Sequence, residues 1–276
     1  MTEPTSPQAL TAALAEFAAR QVVLVALDFD GVLAPIQIDP ATSRPLPEAA
    51  TAMRRLAGAS GVQLAVVSGR PAADLGTLAT PPPGTWLVGS HGAETAGIDD
   101  DGALHHIPAD LRPEQAALLA QVTDALEQIA ADYPPAWVEH KPVSAVLHTR
   151  ELAGRDPAAA EQALAAAAAG PGQSPGTHPQ SGHQVLEIPV LAATKGEALT
   201  RLRDRLGADY GRSPSDIAVL YAGDDVTDET ALATLGPGDV GIKVGTAPTV
   251  ATVRVADPAA MARALHQLAD LRQGPG

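Results

Sequence analysis

From Pro7 to Arg20 the apolar positions recur every three or four residues in an Ala-rich stretch, which predicts an amphipathic helix. The next segment, "VVLVAL" from Val22 to Leu27, has no polar break at all. A run that short and that continuous predicts a strand covered on both faces, and hence a parallel sheet. Helix and strand patterns then alternate: a helix over Pro47 to Ala57, a strand in "VQLAVVSG", a helix from about Pro71 and a strand in "TWLVGS". From Gly97 to about Leu186 the rhythm changes. A helix over Pro113 to Ala131 leads to two adjacent strand-like segments, "AWVEHK" and "SAVLHTR". An Ala-rich helix from Pro157 to Ala169, a Pro/Gly-rich connection and the strand "HQVLEI" follow. The alternation resumes with a helix opening at Lys195, the strand "IAVLYAG", a helix through "DETALATL", short strands "VGIKVG" and "VRVA", and a closing helix from Pro258 to Leu271. The pattern predicts an α/β fold: a parallel-sheet domain built from 1–96 and 188–276, interrupted by an α+β domain over 97–187.

Composition narrows the partners. With 276 residues, the chain can bury one large core or two modest ones. Lys and Arg number 18 against 32 Asp and Glu, a net charge of −14, which repels phosphate backbones and anionic lipid. Neither nucleic acid nor a membrane is an expected partner, and an anionic ligand would need its cations gathered locally or a divalent metal. There is no cysteine, which excludes disulfides, thiolate metal sites and a cysteine nucleophile. The first residues, "MTEPTSPQAL", lack a basic segment leading into an apolar one, and no run approaches the ~20 apolar residues of a membrane span. A cytoplasmic monomer is the expectation.

In open parallel sheets, chemistry sits beyond the carboxyl ends of the strands. There the first strand carries Asp28 and Asp30, then Gly31; the second carries Ser68, Gly69 and Arg70; Lys195 opens a helix behind Thr194; and "IAVLYAG" runs into Asp224, Asp225 and, a turn later, Asp228. Two carboxylates at the end of the most hydrophobic strand repel each other and resist desolvation, so they require a cation or a proton. A hard-oxygen cluster of this kind suits Mg2+. Asp28 is placed to attack phosphorus and form an aspartyl phosphate. Asp30 is placed to protonate the leaving oxygen and then deprotonate water. Ser68 and Lys195 would hold the phosphoryl oxygens. The plainer alternatives are turn-capping aspartates, a turn serine and a solvated lysine, although a lysine at a helix N-terminus opposes the dipole and argues for an anion nearby. Arg70 reads equally well as a phosphate helper or a surface charge.

"DFDGVLAP", "VVSGR", "TKGEAL" and "GDDVTDE", in that order, resemble the four motifs of haloacid-dehalogenase (HAD) phosphohydrolases. The insert falls between the second and third motifs, as in the subgroup carrying an α/β cap of type C2. The resemblance implies a Rossmann-like HAD core, Asp28 as nucleophile and Asp30 as acid/base. It also implies Mg2+ held by Asp28, the backbone carbonyl of Asp30 and Asp224. Asp225 is counted with the metal group, although it and Asp228 would reach the ion through water or through other ligands, with the closer of the two left open.

In the insert, the period of two puts Glu139 with Lys141 on one strand face and His148 with Arg150 on the next, and "HQVLEI" adds Glu187. Interleaved carboxylates and cations suit a polyhydroxylated sugar, against the plain reading of salt-bridge decoration. Together with "SHGAE" at Ser90 to Glu94, the combination resembles the trehalose-6-phosphate phosphatase branch. That branch implies Glu139, Lys141, Arg150 and Glu187 as sugar contacts, Gly69 and Arg70 on the substrate side, and His91, Gly92 and Glu94 shaping the rim or hinge, while a lone strand histidine such as His148 reads as packed or solvated rather than as a direct contact. It implies hydrolysis of trehalose 6-phosphate to trehalose and phosphate, under an insert that excludes water. The same core could serve sucrose phosphate, mannosyl-phosphoglycerate or a phosphosugar mutase. A non-catalytic sugar-phosphate sensor would have no use for both Asp28 and Asp30.

Overall fold

A computed structural model describes residues 5–107, 111–182, 184–191 and 194–274. Its strands are, in chain order, β1 (Val23–Asp28), β2 (Val62–Val67), β3 (Trp86–Gly89), β4 (Glu94–Ile98), β5 (Leu104–His106), β6 (Trp137–His140), β7 (Ser144–His148), β8 (Gln180–Gly182), β9 (Val185–Pro189), β10 (Ala218–Gly223), β11 (Val240–Val244) and β12 (Val253–Val255). The chain divides into two compact units, one of Met1–Ile107 and Ala193–Gly276, the other Pro108–Ala192.

In the first unit eight strands form one sheet in the order β12-β11-β10-β1-β2-β3-β4-β5. Pairings from β12 to β3 are parallel. β1 lies inside the sheet with all six residues buried, as its unbroken apolar run requires. Val23, Val25 and Leu27 join the core under helices Pro7–Ala18, Pro47–Ala57 and Pro258–Gln273, whereas Leu24 and Ala26 join the core under helix Lys195–Asp209. The antiparallel hairpin β4–β5 extends this sheet to His106. The insertion expected from residue 97 therefore begins about ten residues later in the structure, and the second unit keeps all of β9. Short, Gly-containing "ETAGI" gave no periodic signal for an added strand.

The second unit is a four-stranded antiparallel sheet, β6-β7-β9-β8, with helices Pro113–Asp132 and Pro157–Ala169 on one face. Ala145, Leu147, Leu186 and Ile188 pack there against Val122, Leu126, Ala163 and Ala167. Alternation then sends Glu139, Ser144, Val146, His148 and Glu187 to the face away from the helices. The Pro/Gly-rich connection supplies the edge strand β8. His183, expected to open the last strand of the insert, lies outside the described residues.

Two local expectations are corrected. β7 stops at His148, and Arg150 begins a four-residue helix, Arg150–Ala153, so it does not share a strand face with His148. Likewise β6 stops at His140, and Lys141 sits in the turn with its N–H donating to Ser144 O. Among the described residues no helix is long and apolar enough to cross a membrane.

Candidate active site

Strand register assembles the core site. Leu27 pairs with Ala222 of β10 and Asp28 with Val67 of β2, so Asp28, Ser68 and Asp224 all fall at neighbouring strand ends. Lys195, the first residue of its helix and 3% exposed, reaches Asp28 Oδ1 at 2.9 Å and Asp228 Oδ1 at 2.7 Å. Thr194 caps that helix by accepting from the Glu197 N–H. The buried Tyr221 hydroxyl also donates to Asp228 Oδ1, at 2.7 Å. Asp228 Oδ2 accepts the backbone N–H groups of Asp224 and Asp225 at 3.0 and 2.9 Å. Four donors thus saturate the buried Asp228 carboxylate, which makes it the brace of the "GDDVTD" turn.

Glycine is required at two places in this packing. Gly31 has φ +80°, and a Cβ there would collide with the Asp224 carboxylate. A Cβ on Gly223 would collide with Asp228.

Electrostatically the cluster is short of positive charge, since Asp28, Asp224 and Asp228 lie around the ammonium of Lys195, with Lys243 acting on Asp224 as a weaker influence. Burial pushes the Asp28 carboxyl up to about 8, with Asp228 adding to the rise and Lys195 opposing it. Asp224 is raised too, by burial first and then by Asp228 and Asp225. Burial works against the Lys195 ammonium, but Asp28 and Asp228 outweigh it and its value ends above the ordinary one. Burial and then Asp228 push the Tyr221 hydroxyl well up, which keeps it a donor. Oxygens of Asp28, Asp224 and Asp228 lie within 4.8 Å of one another, a group that could hold a metal ion. With Asp228 saturated, Asp28 and Asp224 are the carboxylates with capacity to spare, and their raised values mark the place where a further cation is stabilising.

Asp225 and Asp30 stand apart from this cluster. The Asp225 side chain is exposed and outside the group, because the turn presents its N–H to Asp228 and its carbonyl to Lys243. Asp225, counted with the metal group from the sequence, lies outside this cluster, whose third carboxylate is the saturated Asp228. The Asp30 carboxylate takes a two-pronged pair from Arg70, at 2.6 and 2.8 Å, and Arg70 also donates to Ser43 Oγ at 3.1 Å. The hydrogen bond to Asp30 raises the guanidinium above its ordinary value. Arg70 is thus neither a loose surface charge nor a free anion contact in this structure: it holds Asp30.

Ser68 is buried, with its N–H on Val88 O, its carbonyl on His91 N–H and its hydroxyl oxygen near the Arg70 N–H. Gly69 makes room for His91, whose imidazole a Cβ would strike. Ser90 and His91 both take positive φ, 49° and 57°, so "SHG" is a strained bend. Glu94 anchors it by accepting from Ser90 Oγ and from the Ala72 N–H. Arg201 adds a hydrogen bond to Gly92 O at 2.7 Å.

On the second unit's sheet, Glu187 accepts from Lys141 Nζ at 3.0 Å and from Ser144 Oγ at 2.6 Å. Glu139 pairs with His148 Nε2 at 2.8 Å. Residues 139, 146 and 187 stand in one cross-strand row. Glu139, Lys141 and Glu187 therefore share a polar face, and Arg150 is exposed on its own short helix.

Residues 26–262 match the trehalose-phosphatase family. The chain belongs to that family. A trehalose-phosphate phosphatase of Mycobacterium marinum is 35% identical over 253 residues, covering 89% of this chain and 61% of the relative. An uncharacterised glycosyl hydrolase of Mycobacterium tuberculosis is 36% identical over 259 residues, 90% of this chain but 18% of its own length. The chain thus spans less than two thirds of these relatives. The solved trehalose-6-phosphate phosphatase of Aspergillus fumigatus shares the fold, with a TM-score of 0.63 and 20% identity over 98% of this chain and 100% of that one. The HAD core implied by the four motifs is therefore the fold observed.

Within this family frame, three features escaped the sequence reading. Tyr221 sits inside a strand pattern that explains any aromatic as core. Ser144 opens a strand-like segment with no charge to single it out. Trp137 stacks on His148 with ring centroids 4.2 Å apart, a pairing only the β6–β7 register reveals.

Proposed function

We propose that the chain hydrolyses trehalose 6-phosphate to trehalose and inorganic phosphate through a phosphoryl group carried on Asp28. The observation that carries this reading is the buried Asp28 carboxylate at the end of β1, gripped by Lys195 within a cluster short of positive charge. Asp28 and Asp224 would hold Mg2+, which when bound supplies the missing charge and screens the phosphoryl oxygens. One Asp28 oxygen attacks phosphorus, and the bond to the sugar oxygen breaks as that oxygen takes a proton from Asp30. A water then gives its proton to Asp30 and attacks the same phosphorus, restoring the Asp28 carboxylate and releasing phosphate. Lys195 and the Ser68 hydroxyl hold the phosphoryl oxygens in flight. Asp30 must leave the Arg70 pair, or share it, to move a proton, so Arg70 positions the acid between turnovers. The polar face with Glu139, Lys141 and Glu187 supports recognition of a sugar, since fixed carboxylates accept from hydroxyls and the ammonium donates to them.

A panel of phosphate esters tests the reading. Trehalose 6-phosphate should be turned over well ahead of glucose 6-phosphate, sucrose phosphate and mannosyl-phosphoglycerate. Equal rates across the panel would remove the substrate assignment, and absence of turnover with all of them, in the presence of Mg2+, would favour a sensor.

A further inference from the structure

One large aromatic on the polar face of the second unit has no part in the reading above. Trp137 opens β6, an edge strand, and is 52% exposed. Its indole lies parallel to the His148 imidazole, with 5° between planes, and the register places the two residues directly opposite. His148 Nε2 is in turn fixed by Glu139 Oε2 at 2.8 Å. Glu139 stands two residues along β6 on the same side as Trp137. The indole is therefore braced from behind before any ligand arrives, which lowers the entropy that a ligand contact would otherwise lose.

Cross-strand stacking explains the contact with His148, but it leaves the exposure without a purpose. An indole keeping half its surface free beside fixed carboxylates combines a flat apolar plate with hydroxyl acceptors. A pyranose ring has the complementary form: C–H groups make an apolar face, and hydroxyls radiate from its edge. We propose that Trp137 is the platform on which a pyranose ring of the ligand stacks, which makes it a specificity-determining residue for the sugar moiety. The inference rests on the sugar-phosphate reading and names the side chain that grips the ring.

The chain has two tryptophans, and the other, Trp86, is buried. Both indoles emit, so a ligand-dependent change that is lost in Trp137→Phe is assigned to Trp137 without any catalysis. Titration of the whole protein with trehalose should give a saturable change in emission that Trp137→Phe lacks. In kinetics, Trp137→Ala should lower the ratio of kcat/KM for trehalose 6-phosphate to that for p-nitrophenyl phosphate roughly tenfold, mostly through KM. Trp137→Phe, which keeps an aromatic opposite His148, should recover part of the loss and guards against a folding defect in the alanine variant. Trehalose, sucrose, maltose and glucose are titrated in parallel. A response to another of these sugars with none to trehalose would uphold the platform while overturning the trehalose assignment. Silence toward all four, or an unaltered kinetic ratio in Trp137→Ala, would overturn the platform even if trehalose 6-phosphate is the substrate.

Discussion

Asp28 illustrates how one side chain can be both the proposed nucleophile and a weak point of the fold. Replacing it with asparagine removes the attacking oxygen while keeping shape, so Asp28→Asn should cut phosphate release by at least roughly a thousandfold with an unchanged circular-dichroism spectrum. Retained turnover would exclude the covalent route. Its proton affinity also makes a stability prediction. In the metal-free protein the folded Asp28 titrates at about 8 against an ordinary 3.8, so the folded state binds the proton more tightly than the unfolded chain. That stabilisation is complete below about 4 and is lost as pH rises from there through about 8. The metal-free wild type should therefore melt progressively lower relative to Asp28→Asn across that window. Parallel melting curves would count against the burial argument.

Elements decide where such side chains point. β1 ends in a turn that needs Gly31 at φ +80° because Asp224 occupies the space of a Cβ. Gly31→Ala should cost roughly 1–3 kcal/mol in urea unfolding and weaken activation by Mg2+, since relieving the clash displaces Asp224. Unaltered Mg2+ dependence would separate Asp224 from the metal. In the second unit, Glu187 lies in the same cross-strand row as Glu139 and is held by Lys141 and Ser144. Glu187→Gln keeps size but weakens both bonds, so it should raise KM for trehalose 6-phosphate several-fold and affect p-nitrophenyl phosphate less. Equal losses on both esters would mark Glu187 as structural. How legible an element was depended on its burial. β1 and β10 were plain from composition because strands covered on both faces must be apolar throughout. β4 and β5 went unseen because a short edge hairpin carries no such demand, and the end of β7 was misplaced because only the backbone turn at Thr149 stops it.

At the scale of the whole molecule, the surplus of acid at the strand ends should make stability depend on divalent ions. Adding Mg2+ to chelator-stripped protein should raise the melting temperature more at pH 8 than at pH 5, because proton and ion compete for Asp28 and Asp224. A melting temperature indifferent to chelator and Mg2+ at both values would mean that the charge shortage is met some other way. The net charge of −14 adds a general bias against polyanions, so the few cations that matter are those gathered by folding, Lys195 and Arg70 among them.

The alternation of the main helices and strands, the parallel core and the chemistry-bearing strand ends were determined by the sequence alone, because periodicity and ordered motifs are local properties of the chain. Tertiary structure alone decided which acids meet. Asp228 rather than Asp225 closes the cluster because the turn after β10 folds the later carboxylate back onto two backbone N–H groups. Arg70 finds Asp30 across 40 residues, and Trp137 finds His148 across a strand pair. These meetings depend on register and turn geometry, which packing of the whole chain sets and no short window of residues contains.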